Sequence, residues 1–477
     1  MAALLAVTVP CASRAENLLR ASAYDMPTGL RLSAGYSELA GSPGSDSLRT
    51  WESYVEKRPA LRTASWIVSM NLVMTLYGRY IMQPDGYGFR VSGETIKNNL
   101  QNGFEWDDNS FSANNFRHPY QGAQYHGVAR GNGYDFYESS LWSFFGAWEF
   151  EYAGEAHHPS YNDWINTAVG GIALGEVLFR LQNMVLDNTA TGSERAWREI
   201  GGLAVHPLRE VNRLVTGEAF DVHQNPADRF PSSLGGELVI GTRTIGEERL
   251  WEENVTKAFL SFDAKYGDPY DDIRKPYEAF QFGAQVTFDN KPRGLARLEA
   301  SGVIASADVY KSDVAQHVLS AVQLFDYFDN EAYTYGGQTI GVNYRSRFWR
   351  GDLFEARTTV GLGAILLGAS RSDYFNISGR EYDYGPGAGY GVSVEFARRG
   401  RTILGVSHNG FWIHSVNGTN SDHYNNVSRF RLDLPAKQFF SAGVEYVLFH
   451  SERIYADYDD VSTRNPELKL YLSWLMD

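Results

Sequence analysis

The sequence is short of the residues that carry thiol, phosphate-binding and membrane-helix chemistry. Of its 477 residues one is cysteine, Cys11, and it lies within the first fifteen. Once those fifteen are removed, the mature chain has no disulfide and no thiol chemistry. Runs of basic residues are missing as well. With 43 Lys and Arg against 57 Asp and Glu the formal charge is −14, and no nucleic-acid partner is expected, because phosphate binding needs clustered cations. No apolar run reaches the roughly 20 residues that a bilayer core demands of a helix. The best candidate lies between Arg62 and Arg79, is too short, and includes Ser69 and Asn71, so it predicts a buried core helix. Nucleophile-elbow and zinc-helix motifs are absent too. RGNG (130–133) lacks the P-loop lysine, and GPGAG (385–389) leads into a strand. No cofactor is expected.

What is present points to a β-sheet with two unlike faces. Aromatics make up 14% of the chain and glycine accounts for 47 residues, the usage of membrane barrels with aromatic girdles and small inward side chains. In Tyr390–Phe396 (YGVSVEF), Tyr390, Val392, Val394 and Phe396 share one strand face, with Gly391, Ser393 and Glu395 on the other. The rhythm recurs after residue 233. It predicts strands near 234–243, 255–266, 277–289, 294–305, 314–325, 336–348, 353–367, 386–397, 401–414, 426–434, 438–449 and 467–476, twelve in all. Phe280, Phe282, Ala284, Val286 and Phe288 are expected outward, with Gln281, Gly283, Gln285 and Thr287 inward. Phe354 to Leu366 alternates in the same way, with Glu355 and Arg357 inward. Leu468, Leu470, Leu472, Trp474 and Met476 close the chain in a pattern that resembles the C-terminal signal of bacterial outer-membrane barrels. A soluble β-sandwich is the competing arrangement. Strands of a dozen residues against the usual about five or six, and charges beside glycines on the polar faces, favour the barrel.

Ahead of the strands the period changes from two to 3.6. Helices are expected at 61–82, 93–101, 119–131, 136–155, 160–187 and 193–215. Ser92 can cap the second, with Thr95 at the third position, and Pro119 suits a first turn. Gly171 and Gly175, four apart, permit close helix–helix approach. MAALLAVTVPCASRA resembles a signal-peptide core, with Ser13 and Ala15 before a cut near Glu16; the missing basic n-region suits a start lying further upstream. A frayed terminus of a cytosolic protein is the alternative. Lipidation at Cys11 is not expected. Residues 16–58 read as a linker, with a Gly/Ser/Pro-rich patch at 41–47 and a candidate strand at 29–36. The division is then signal peptide 1–15, linker 16–58, helical domain 59–220 and barrel 221–477.

The dense polar set lies between His118 and Arg180. Glu151 and Glu155 are four apart, able to do acid/base work or to hold a metal if histidines converge, with His118, His126, His157 and His158 the available nitrogens and His118 and His157 the candidates. The bland alternative pairs them with Arg130, Arg180 or tyrosine hydroxyls. Glu176 and Arg180, four apart on an apolar stripe, predict a structural ion pair, or a catalytic acid with a raised pKa. Asp163 can orient His118 from another helix, but no serine stands out as its nucleophilic partner.

HPYQGAQYHGVARGNG (118–133), FEYAGE (150–155), PSYNDW (159–164) and GGIALGEVLFR (170–180) together resemble the signature of a bacterial envelope family, the domain of unknown function 3943. The resemblance implies an envelope location and no defined activity. The full expectation is an α+β, mainly β chain: an antiparallel transmembrane β-barrel of about twelve strands in a Gram-negative outer membrane, with an N-terminal all-α domain. That domain is expected in the periplasm or plugging the lumen, with His118, Glu151, Glu155, Asp163, Glu176 and Arg180 holding domain and barrel together in a structural or transport-related role. Lipid is the expected partner, beside a periplasmic protein of unknown kind. A membrane-embedded hydrolase of lipid or envelope polymer, and a soluble secreted binding protein, are the rivals.

Overall fold

The computed structural model describes residues 50–476, except 85, 252–253, 289–293, 352–353, 375–378, 399–400 and 438. The signal-peptide segment, Cys11, the 29–36 strand and the 41–47 patch lie outside the described residues. The chain divides into two compact units, one of residues up to Asp107 with Arg117–Pro231, the other of Asp108–Phe116 with Ser232–Asp477.

The first unit is helical: α1 (Trp51–Tyr54), α2 (Ala60–Tyr77), α3 (Gly93–Asn102), α4 (His118–Gly131), α5 (Phe136–Glu149), α6 (Tyr161–Ile165), α7 (Gly171–Val185), α8 (Gly192–Val205) and α9 (Pro207–Thr216). Every expected helix is present. Ser92 caps α3 reciprocally: its Oγ accepts from the Thr95 N–H (3.2 Å) while its own N–H donates to Thr95 Oγ1 (2.8 Å). The single helix expected over 193–215 is two, because Pro207 pushes the residue before it out of the helical region; His206 sits at φ −142, ψ 82. Four π-helical turns are described, at Gly78–Met82, Ala113–Arg117, Phe150–Gly154 and Asn166–Gly170. Gly171 and Gly175 let α7 press against α4. A Cβ on Gly171 would stand 2.5 Å from the Gly122 carbonyl carbon, and one on Gly175 2.7 Å from His126 Cβ.

α2 is not the buried core helix its composition suggests. Its inner stripe is Thr63, Ile67, Asn71 and Thr75, spaced four apart, while Leu61, Leu72, Val73 and Leu76 are exposed. The polar stripe turns inward because it has partners there. Asn71 Nδ2 donates to the Gly146 carbonyl (3.2 Å), Thr75 Oγ1 to that of Gly154 (2.7 Å), and Asn132 Nδ2 to Thr63 Oγ1 (3.1 Å). No described helix is long and apolar enough to cross a membrane.

The second unit is a closed barrel of twelve antiparallel strands, each bonded to its sequence neighbours, with the first and last joined from Gly236↔Met476 to Ile245↔Glu467. In order they are β1 (Leu234–Ile245), β2 (Val255–Tyr266), β3 (Phe280–Phe288), β4 (Leu295–Lys311), β5 (Ala315–Asp329), β6 (Thr334–Arg350), β7 (Phe354–Arg371), β8 (Tyr382–Arg398), β9 (Arg401–His414), β10 (Ser421–Lys437), β11 (Phe440–Tyr455) and β12 (Val461–Met476). All twelve expected strands are there, several longer than the alternation shows. β10 begins five residues early, over polar SDHYN, where no apolar face marks a strand.

Register sorts the faces. Outward lie Leu362, Val360, Val392, Leu470 and Leu472, all exposed; inward lie the charges. Arg429 Nη2 reaches Glu299 Oε2 on β4 (3.5 Å), and Arg431 Nη2 reaches Glu237 Oε1 on β1 (2.5 Å). Neither pair joins neighbouring strands. A second interior layer is apolar, built from Phe328, Tyr333, Tyr335, Ile365, Ile413 and Phe449 among others, with Phe411 stacked on Tyr335 at 4.5 Å. Phe280, Phe282 and Ala284 face outward as expected yet are buried, Phe280 beneath Tyr266 with ring centroids 4.5 Å apart.

The segment 108–116 belongs to this unit and lies on the outer wall. Phe111 stacks on Tyr327 (5.6 Å) and meets Tyr382 edge-on (5.5 Å), Asn114 Nδ2 donates to the Tyr382 hydroxyl (3.0 Å), and that hydroxyl donates to the Asn109 carbonyl (2.6 Å). Tyr327 and Tyr382 are outward by register, on the face of Gly336 and Ala369.

Candidate functional site

Three buried side chains from separate parts of the helical unit meet. His118 is the first residue of α4, directly after the π-helical turn Ala113–Arg117, and Pro119 follows it. Glu151 lies in the π-helical turn after α5, and Asp163 lies in α6. One nitrogen of His118 and one oxygen from each carboxylate all lie within 4.8 Å of one another. The extra residue of a π turn re-aims the side chains around it, and two of these turns serve the site. One carries Glu151; the other carries Thr167, whose Oγ1 is 3.2 Å from His118 Nδ1.

Ser160 ties the two acids together. Its N–H donates to Glu151 Oε2 (2.7 Å) and its hydroxyl to Asp163 Oδ2 (2.6 Å). Asn162 Nδ2 donates to Asp163 Oδ1 (2.9 Å), and His118 Nε2 lies 3.7 Å from that oxygen. Burial raises the Glu151 pKa well above the ordinary carboxylate value; Asp163 and Glu155 add to the rise and the Ser160 N–H opposes it. Glu155, half-buried, is pushed up to about 8 by burial and by the charges of Asp163 and Asp107. The arrangement can hold a proton or a cation between acids, and it presents an imidazole to them.

The expected residues thus divide. His118, Glu151 and Asp163 converge, and Glu155 adds to their field. His157 is exposed and sits edge-on to Tyr87 at 5.8 Å, outside the convergent set. Glu176 and Arg180 belong to a second cluster. Glu176 Oε1 accepts from Arg180 Nε (2.9 Å), and its Oε2 stands 3.0 Å from both Arg130 Nε and His126 Nε2. Burial pushes the Glu176 carboxyl up, but Arg130, Arg180 and His126 outweigh it and hold the group below the ordinary range. These bonds all run between residues of the helical unit.

Ser160 and Thr167 were given no role by sequence. Ser160 stands three residues before Asp163, a helix-start spacing that was its one visible signal. A barrel cluster is also new: Asp383 Oδ2 lies 3.2 Å from His423 Nε2, and Ser421 Oγ lies 2.9 Å from the same nitrogen. Sharing one nitrogen, serine and acid cannot be relayed through the ring.

No curated protein matches the chain. Solved structures that resemble it include the NanC porin (8% identity, covering 50% of this chain and 98% of that one, TM-score 0.26). A loop L8 deletion mutant of OmpT, an outer membrane protein of Vibrio cholerae, matches at 8% identity over 51% of this chain and 98% of its own, TM-score 0.23. The outer membrane channel DcaP of Acinetobacter baumannii matches at 8% identity over 51% and 96%, TM-score 0.24. Residues 103–208, which hold all six of the expected polar residues, match the family model described as Domain of unknown function (DUF3943), the family that the 118–180 motifs resemble.

Proposed function

We propose that this chain is an integral outer-membrane β-barrel protein whose barrel anchors it without conducting, and whose helical unit meets lipid. The observation that carries the reading is the division of the barrel's side chains. An exposed apolar exterior suits acyl chains, while interior charges are paired across the lumen and an aromatic cluster fills part of it, and this supports a barrel that does not conduct. α2 supports the lipid partner, because its polar stripe is spent on internal hydrogen bonds and its apolar residues face outward. The test is fractionation followed by planar-bilayer recording. The protein is expected in the detergent fraction, heat-modifiable on gels, and silent in the bilayer. Recovery in plain buffer, or a wide, always-open pore, overturns the proposal.

A second reading, a hydrolase acting on lipid or envelope polymer, is favoured by the meeting of His118, Glu151 and Asp163 around Ser160. His118→Ala and Glu151→Gln separate the two. Intact melting with altered lipid profiles supports the enzyme; lost stability with unchanged lipids supports a structural role.

A further inference from the structure

We propose that His118, Glu151 and Asp163 form a binding site for a single divalent transition-metal ion. The proposal is independent of the membrane reading, since the three residues are buried within the helical unit itself.

The geometry is the first argument. Ligand atoms around one ion at about 2.0–2.2 Å stand up to about 4 Å apart. The three atoms here, all within 4.8 Å of one another, therefore need only small side-chain rotations to close on an ion.

His118 is the second, independent argument. Its ring is 8% exposed, and its Nδ1 is fixed by Thr167 Oγ1 at 3.2 Å. Its Nε2 faces Asp163 Oδ1 from 3.7 Å, too far for a hydrogen bond between the two. Metal-ligating histidines are held in this way, one nitrogen tied to a supporting group and the other aimed at the ion. When Nδ1–H donates to Thr167, Nε2 presents a lone pair to a carboxylate oxygen. Two lone pairs facing each other across a buried gap are mutually repulsive, and a cation between them reverses the sign.

Charge is the third argument. The hydrogen bonds to Glu151 come from the Ser160 N–H and hydroxyl, and no lysine or arginine lies within ion-pair distance of it among the described residues. A buried carboxylate without a cation is costly, so it keeps a proton or gains a metal. Ser160 and Asn162 already orient the two acids as supporting groups do around an ion.

One imidazole and two carboxylates suit Mn2+, Fe2+ or Zn2+ better than Ca2+, which prefers six to eight oxygens. Three protein ligands leave positions open for water or substrate, the pattern of reactive rather than purely structural sites.

The experiment uses the full chain in detergent, stripped with EDTA and titrated with Mn2+ or Zn2+ by calorimetry, with bound metal counted by elemental analysis. One ion per chain is expected. Asp163→Asn and Glu151→Gln should weaken binding at least 100-fold, while His157→Ala, on a neighbouring loop but outside the set, should bind as the parent does. Electron spin-echo modulation of the Mn2+ complex of the unaltered protein should show one imidazole nitrogen. That readout needs no variant and decides the matter if a variant fails to fold. Absence of stoichiometric binding, absence of the nitrogen coupling, or loss of metal in His157→Ala but not in Asp163→Asn overturns the proposal.

Discussion

Lys265 on the second strand reaches across the barrel to Glu395 on the eighth, with Nζ 3.4 Å from Oε2. Arg357 Nη1 lies 3.7 Å from the same oxygen. Opposite charges from distant strands thus meet inside the barrel, at a pair that stays partly exposed, with Lys265 half exposed. A charge that spans the lumen does two things at once. It neutralises its partner, and it narrows the space between the two walls.

The first prediction concerns the proposed closure, in which two layers block the path, one ionic through Arg429 and Arg431, one aromatic through Tyr335 and Phe411. Removing either layer alone leaves the other in place. Arg429→Ala with Arg431→Ala, and Tyr335→Ala with Phe411→Ala, should each remain silent in a planar bilayer. The fourfold variant should conduct, with cation selectivity, because Glu237 and Asp433 then lack their guanidinium partner Arg431 and Glu299 keeps only Arg297. Conduction by either double variant would assign the barrier to one layer only.

A second prediction tests α2 against lipid. Cys11 is the sole native cysteine, so a Cys11→Ser background accepts single nitroxide labels. Labels at Leu72 and Val73, both exposed, should collide more with oxygen than with a water-soluble nickel complex when the protein is in liposomes. A label at Glu94, in the first turn of α3, should show the reverse. Equal nickel access at all three sites would place the exposed face of α2 in water.

The barrel was legible in the sequence because its rule is simple. Each strand has one face toward apolar surroundings and one toward a polar interior, so period two survives wherever both environments are uniform. It faded at Ser421–Asn425, where both faces are polar, and the strand went unseen there. It misled at Phe280 and Phe282, outward by register yet covered. α2 was misread for a related reason. Periodicity shows that two faces differ, not which one turns inward, and hydrogen bonds from Thr63, Asn71 and Thr75 decided that. Within the candidate site the charged members were visible as residue types. Their division into two clusters was not, because Glu151 and Glu176 find their partners across helix crossings set by Gly122, Gly171 and Gly175.

Glu176→Gln isolates the second cluster. The substitution keeps the side chain's shape and removes the one negative charge that Arg130, Arg180 and His126 share. Two buried guanidiniums then lose the acid they share, while Arg130 keeps Glu52, 3.2 Å from its Nη2. Breaking a buried pair in this way costs about 3–5 kcal/mol. Thermal unfolding followed by helical circular dichroism should shift down accordingly, while heat-modifiability of the barrel stays unchanged. A shift within error of zero would mean that the carboxyl is not ionised.

The last prediction is a pH dependence centred on Glu210. Its Oε2 accepts from Gln182 Nε2 at 3.0 Å, with Arg213 Nε 3.8 Å away. Burial, and then the neighbouring carboxyl of Glu199, push its pKa up to about 9, against the pull of Arg213 and Arg209. The folded form therefore holds a proton that the unfolded chain releases near pH 4.5. A group raised in this way contributes stability that is complete below the unfolded value and is lost as pH climbs to the folded one. One proton corresponds to a slope of up to about 1.4 kcal/mol per pH unit across that window. Glu210→Gln mimics the protonated acid and cannot lose it. The variant should melt with the parent at pH 5 and above it at pH 9, so the two curves separate on the alkaline side. If it is instead less stable at pH 5, the carboxylate is ionised there and bound to Arg213, and the proton sits on Glu199.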